Sequence, residues 1–108
     1  MAVISEMENG MCRLRVDSDM TIYTALDLKQ QLLPYLNQAS HLEVDCSGVM
    51  EMDSAGLQLL ILLKRGAERR GCRLALTGHS AAVMDVIDTF NMGAFFGDPI
   101  VLQGQREV

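Results

Sequence analysis

The sequence predicts an α/β sandwich of four to five strands, with helices mainly on one face of the sheet. Three observations carry this. Apolar residues alternate with period two in short stretches and recur at helical spacing between them. Strands alternating with helices are the pattern of a layered α/β fold. The strands are also one-sided: Cys12, Leu14 and Val16 oppose Arg13 and Arg15, and Leu42, Val44 and Cys46 oppose Glu43 and Asp45. A sheet covered on both faces would show continuous apolar strands. One face is therefore expected to be open and charged, with Arg13 and Arg15 facing Glu43 and Asp45 across neighbouring strands.

Ala2 to Met7 reads as a first strand, and Glu8-Asn9-Gly10 as a turn centred on Asn-Gly. Cys12 to Val16 is the second strand, ended by Asp17-Ser18-Asp19. The period then changes. Ala25, Leu28, Leu32 and Leu36 share one helical face, with Thr21 or Asp19 as cap, and Pro34 kinks or ends the helix. Leu42 to Cys46 is a third strand, followed by a loop from Ser47 to Met52. From Leu57 to about Arg70 the pattern is helical and mostly apolar in its first half, with Gly71 as its stop. Arg73 to Thr77 is a fourth strand. Ser80 caps a helix whose apolar face is Val83, Met84, Ile87 and Phe90. Phe95 to Leu102 is expected to add a short edge strand, whose Ile100 to Leu102 part offers one place where chains could pair; for Phe95 and Phe96, core packing is expected over an exposed apolar handle.

Bulk properties exclude several function classes. At 108 residues one domain is expected, spanning residues 1–108. A net charge of −5 argues against nucleic acid, which requires a basic patch. The cluster Lys64, Arg65, Arg69 and Arg70 is interrupted by Glu68 and reads as a solvated helix face. The start, MAVISEMENG, has acids where a signal peptide needs bases. The longest apolar run, Leu59 to Leu63, is far short of a membrane span. A cytoplasmic protein without membrane insertion is expected. The three cysteines, Cys12, Cys46 and Cys72, are widely spaced and form no CxxC, so buried free thiols are expected. The 8 methionines read as gap fillers of an aliphatic core.

No catalytic constellation is legible. No glycine-rich phosphate loop, nucleophile elbow or HExxH is present. His41 and His79 stand at element boundaries, and Asp85 and Asp88 read as a solvated helix face. Neither an enzyme nor a cofactor site is expected. The stretch Met52-Asp53-Ser54-Ala55-Gly56-Leu57 remains. Asp53 or Ser54 would cap the following helix, and Ala55 and Gly56 would allow close approach. The same geometry admits a second use. A helix start favours negative charge, so a phosphate on Ser54 would be tolerated there and would add about −1.5 to −2 charges at one surface point.

Residues Leu42 to Phe90, in particular LEVDCSGVMEMDSAGLQLLILLKRGAERRGCRLALTG, resemble the STAS family, best known from bacterial anti-sigma factor antagonists. The carrying motifs are Asp-Ser-Ala-Gly-Leu opening a long apolar helix and the Gly71 to Leu76 strand after it. The resemblance implies a mixed four- to five-stranded STAS sandwich and partner switching. It implies that Ser54 is phosphorylated by a serine kinase of the histidine-kinase-like ATPase type, often itself the anti-sigma factor. Unphosphorylated protein would bind that kinase, and a phosphatase would reset the switch. Geometry and resemblance together give a partner-binding set of Thr21, Tyr23, Met50, Met52, Asp53, Ser54, Ala55, Gly56 and Gln58. The sequence departs from the family at Ser18-Asp19-Met20-Thr21, where many members carry Gly-Glu-Leu-Asp, and at Ala55, a common hydroxyl position. MTIYTALDLKQQLL and FGDPIVL are similar to STAS proteins beside chemotaxis genes, and Asp-Ser-Ala-Gly is close to the Asp-Thr-Ala-Gly of a lipid-transport ABC subunit. The alternative is therefore a constitutive subunit or scaffold of a chemosensory or lipid-transport assembly.

Overall fold

A computed structural model describes residues 2–96. Strands β1 (Val3–Glu8), β2 (Met11–Val16), β3 (His41–Asp45) and β4 (Arg73–Thr77) form one mixed sheet in the order β1-β2-β3-β4. The first pair is antiparallel and the next two are parallel. Parallel neighbours require crossovers. Helix α1 (Ala25–Leu32) with a 3-10 continuation (Leu33–Asn37) supplies the first, and helix α2 (Ser54–Arg69) the second. Helices α3 (Ala81–Thr89) and α4 (Gly93–Phe96) follow.

The β1–β2 turn is the expected one. Asn9 and Gly10 have φ of 52° and 81°, the left-handed pair that a two-residue hairpin with matching twist requires. Only those two residues turn, so Glu8 stays in the strand opposite Met11. The sheet is one-sided as expected. Cys12, Leu14, Val16, Leu42, Val44, Leu74 and Leu76 are buried, whereas Arg13, Arg15 and Arg73 are exposed. Arg13 faces Glu43 in register, and its Nε donates to Glu43 Oε1 at 3.1 Å. Arg15 and Asp45 are also in register but form no ion pair among the described residues; Asp45 Oδ1 instead accepts from the Ser47 N–H at 2.9 Å. An exposed pair of this kind contributes little, because both charges stay solvated.

Leu28, Leu32 and Leu36 are buried in the order predicted, and the α-helix ends at Leu32, just before Pro34, with a 3-10 turn carrying the chain on. The cap differs from expectation. Thr24, not Thr21 or Asp19, holds the N-cap position of α1. Its Oγ1 donates to the Asp19 carbonyl (2.7 Å) and accepts from the Thr21 N–H (3.0 Å), so it knits the preceding turn instead of capping with its side chain. Helix α2 begins three residues before Leu57, and Leu57, Leu59, Leu60 and Leu63 are buried. Gly71 (φ 70°) follows its end. Ser80 caps α3, its Oγ accepting from the Val83 N–H at 3.2 Å. Val83 and Ile87 are buried, but Phe90 lies just past the helix end and is 51% exposed.

Phe95 and Phe96 are helical rather than extended, and residues 97–102 of the expected edge strand lie outside the described residues. Phe96 is fully buried, with its ring 5.1 Å edge-on to Phe95. The basic cluster on α2 is not simply solvated. Lys64 Nζ donates to the carbonyls of Leu74 (3.2 Å) and Phe96 (3.0 Å), tying α2 to β4 and α4. The Arg65 guanidinium lies over Phe95 at 5.6 Å, and Arg70 Nε donates to Asn37 Oδ1 at 2.8 Å. All three cysteines are free and buried, and desolvation pushes the Cys46 thiol up to about 12.

Candidate functional site

The Asp53-Ser54-Ala55-Gly56 stretch resolves into four separate jobs. Asp53 is the N-cap of α2. Its Oδ1 accepts from the N–H groups of Ala55 (2.9 Å) and Gly56 (3.3 Å). Its Oδ2 accepts from the Ile22 N–H at 3.0 Å. One carboxylate therefore satisfies two orphan donors of the helix start and also fastens the 20–24 segment to it. The backbone continues the joint: Met20 and Met52 form a parallel bridge, Met20 N–H donates to Glu51 O (2.9 Å), and Asp53 N–H donates to Met20 O (3.2 Å).

Gly56 makes that joint possible. It is buried, and a Cβ there would run into the Met20 carbonyl oxygen and lie 2.9 Å from Met20 Cβ. It was expected at the partner surface; the structure places it beneath Met20 as a spacer. Met20 itself is fully buried. Because Asp53 takes the cap, Ser54 does not need to. Ser54 is exposed at the first position of α2, and its hydroxyl has no hydrogen-bond partner among the described residues.

The other expected residues divide into two grooves flanking Ser54. Thr21, Tyr23, Met52 and Asp53 line one of about 590 Å³, together with the carboxylates of Asp19, Glu51 and Asp85. Ala55 and Gln58 line the other, between α1 and α2. Met50 lines neither and stands 77% exposed on the loop before the helix. Tyr23 is 94% exposed and Ile22 69%. The expected set held Thr21 and Tyr23 but missed two features of the same segment: Met20 as the buried hinge pin, and the Ile22 N–H as the third donor to Asp53. It also missed Leu26, Lys29 and Leu62. For Leu26 and Lys29 the signal was the recurrence of apolar or long side chains at positions 22, 26, 29 and 33, an outward helical stripe beside the buried one.

The N–H groups of Ile22, Gly56, Ala55 and Asp53 itself hold the Asp53 carboxyl below its ordinary value of 3.8, with Ile22 the largest contributor and desolvation acting against them. In the unfolded chain this carboxyl titrates at the ordinary value. Its contribution to stability is therefore complete above pH 3.8 and lost as pH falls through the lower folded value. Asp53→Asn is expected to lower the melting temperature at about pH 7 by roughly 5 °C and to flatten the acid side of the stability profile. Thermal melts from about pH 7 down to about pH 2 check both. A variant that keeps the wild-type acid profile would remove Asp53 from this role.

Among the described residues no group of three His, Cys, Asp or Glu is placed to hold a metal ion, and no helix is long and apolar enough to cross a membrane. What the geometry defines is a small α/β domain that presents an exposed hydroxyl at a helix start, flanked by open grooves. A family model described as "Mlab, STAS domain" matches residues 5–102, and the chain belongs to the STAS domain family. The fold is similar to that of the anti-sigma factor antagonist SpoIIAA in its unphosphorylated form, at 18% identity over 86% of this chain and 84% of that one, with a TM-score of 0.70. It is similar to the Bacillus cell fate determinant SpoIIAA in the phosphorylated form, at 17% identity over 86% of each chain, with a TM-score of 0.66. An anti-sigma factor antagonist from Mycobacterium paratuberculosis shares it at 19% identity over 87% of this chain and 80% of that one, with a TM-score of 0.77.

Proposed function

We propose that this protein is an anti-sigma factor antagonist-type partner-switching regulator. Unmodified, it binds a serine kinase of the histidine-kinase-like ATPase type that also serves as an anti-sigma factor. Phosphorylation of Ser54 releases it, and a phosphatase restores binding. The protein acts by binding and carries out no reaction of its own.

The observation that supports this most is the division of labour at the helix start. A serine serving only as cap would accept from the backbone N–H groups two or three positions on. Here Asp53 does that, and Ser54 is left exposed with a hydroxyl open to a kinase. The surroundings fit a docking surface. Ile22, Tyr23, Leu26 and Met50 are large apolar or aromatic side chains at least two-thirds exposed on the elements flanking Ser54. Exposed apolar groups gathered in this way mark interaction surfaces. A specific interface needs roughly 800 Å² on each partner, more than the motif alone provides, and these side chains extend the surface beyond it.

The test is the intact mass of the protein recovered from its own cells across growth conditions, with any modification mapped. The expected result is a fraction carrying one phosphate on Ser54 that varies with conditions. A protein unmodified under every condition would overturn the switch and favour a constitutive STAS subunit of a chemosensory or lipid-transport assembly.

A further inference from the structure

Helices α1 and α2 leave an open groove that begins beside Ser54. Near Ser54 it encloses about 300 Å³ and is lined by Ala25, Leu26, Ala55, Leu59 and Leu62, with the polar side chains of Lys29 and Gln58. A second depression of about 530 Å³ shares Leu26 and Lys29 and continues past Leu33 and Pro34 to Arg70. Leu26 is 67% and Leu62 37% exposed, so an apolar residue on each wall is open among the described residues, while Leu59 is buried. The spacing is regular: Leu26, Lys29 and Leu33 on α1 and its continuation, Ala55, Leu59 and Leu62 on α2. Such i, i+3/i+4, i+7 rows offer the ridges that another helix packs between. From Ala55 to Arg70 the groove runs roughly 22 Å, about four helical turns.

Charge selects the occupant. In a chain of net charge −5, the charged residues lining this groove among the described residues are Lys29 and Arg70, both cations, Arg70 also donating to Asn37 Oδ1 and the Gly66 carbonyl. Lys29 forms no ion pair among the described residues. The groove on the other side of the α2 start carries four carboxylates, Asp19, Glu51, Asp53 and Asp85. The two sides of Ser54 thus have opposite sign, which fixes which side an acidic segment enters. We propose that the α1/α2 groove receives an amphipathic helix of a protein partner, with aliphatic side chains between Leu26 and Leu62 and carboxylates over Lys29 and Arg70. Its regulation rests on the partner-switching reading: a phosphate on Ser54 stands at the head of the groove and repels an acidic helix.

The test uses two synthetic helices with identical leucine spacing, one carrying Glu and the other Lys at the flanking positions. Each is titrated onto the isotope-labelled full chain while backbone amide signals are followed. The expected result is saturable shifts at Leu26, Lys29, Ala55 and Leu62 with the Glu helix, weakened roughly fivefold by Lys29→Glu. Equal response to both helices, shifts confined to the open sheet face, or indifference to Lys29→Glu would overturn the proposal. So would a concentration-dependent shift of the same amides in the protein alone accompanied by a dimer in sedimentation, since a second copy would then own the groove. Repeating the Glu titration on Ser54→Asp separates the two readings. Binding that ignores this charge keeps the groove and removes its regulation; loss of the groove leaves the cellular phosphorylation result standing.

Discussion

Gly56→Val is expected to detach the 20–24 segment from the start of α2 and to destabilise the protein by about 3 kcal/mol or more. In isolation the change would help: a glycine in a helix costs about 1 kcal/mol relative to alanine. The surroundings reverse the sign. A Cβ at this position runs into the Met20 carbonyl oxygen, with Met20 Cβ at 2.9 Å and its carbonyl carbon at 3.0 Å. Those atoms are held by the Met20–Met52 bridge and by the hydrogen bonds from Met20 N–H to Glu51 and from Asp53 N–H to Met20. Backbone so tied cannot yield by a rotamer change. It must move as a segment, and Ile22, the third donor to Asp53, moves with it. Gly56→Ala should cost about 2 kcal/mol for the same reason. Two other helical glycines serve as controls. A Cβ at Gly66 meets only the far ends of flexible side chains, Leu36 Cδ1 at 2.8 Å and Arg70 Nη1 at 3.5 Å, and one at Gly93 meets nothing within 4 Å. Urea denaturation of the alanine variants should therefore rank Gly56 well below Gly66 and Gly93. Equal midpoints for all three would show that the joint relaxes freely.

That joint is also where the sequence stopped being legible. The sheet could be read because Cys12, Leu14 and Val16, and Leu42 and Val44, alternate with charged residues, and period-two patterning survives any tertiary detail. The Asn9-Gly10 hairpin and the Ser80 cap were readable because each is decided within a few residues. Asp53 against Ser54 was not. Both residue types cap helices well, and what decides between them is the Ile22 N–H, 31 positions away in sequence. Asp53 has two oxygens and can hold Ile22 with one while capping with the other; a serine has one. Phe95 and Phe96 failed differently. A short apolar run fits a strand or a buried helical turn equally, and the choice falls to the packing of Phe96 in the core and to Lys64 reaching its carbonyl. Lys64 and Arg70 read as surface charges because their sequence pattern does not show that their stems lie along neighbouring elements.

The same division of labour sharpens the expected effect of charge at Ser54. From sequence, a phosphate there is expected to be tolerated, because a helix start favours negative charge. In the structure the N–H groups of Ala55 and Gly56 are already taken by Asp53 Oδ1. A phosphate would thus remain exposed, its charge unspent, beside a groove already carrying Asp53, Asp19, Glu51 and Asp85. The helix dipole still favours it, so the fold is expected to survive with an unchanged melting temperature. A partner covering this point would have to bury an unpaired charge, at about 2–5 kcal/mol. Ser54→Ala should accordingly bind the kinase partner like the unmodified protein, and Ser54→Asp should bind on the order of 30-fold to several-thousand-fold more weakly. Authentic phosphoserine should lie at the weaker end, because it carries about −1.5 to −2 charges against one for aspartate. Calorimetric titration of the three forms against the purified kinase gives the ratio directly. Equal affinity for the alanine and aspartate variants would mean that no partner covers Ser54, and the protein would then act through its grooves as a fixed subunit and not as a switch.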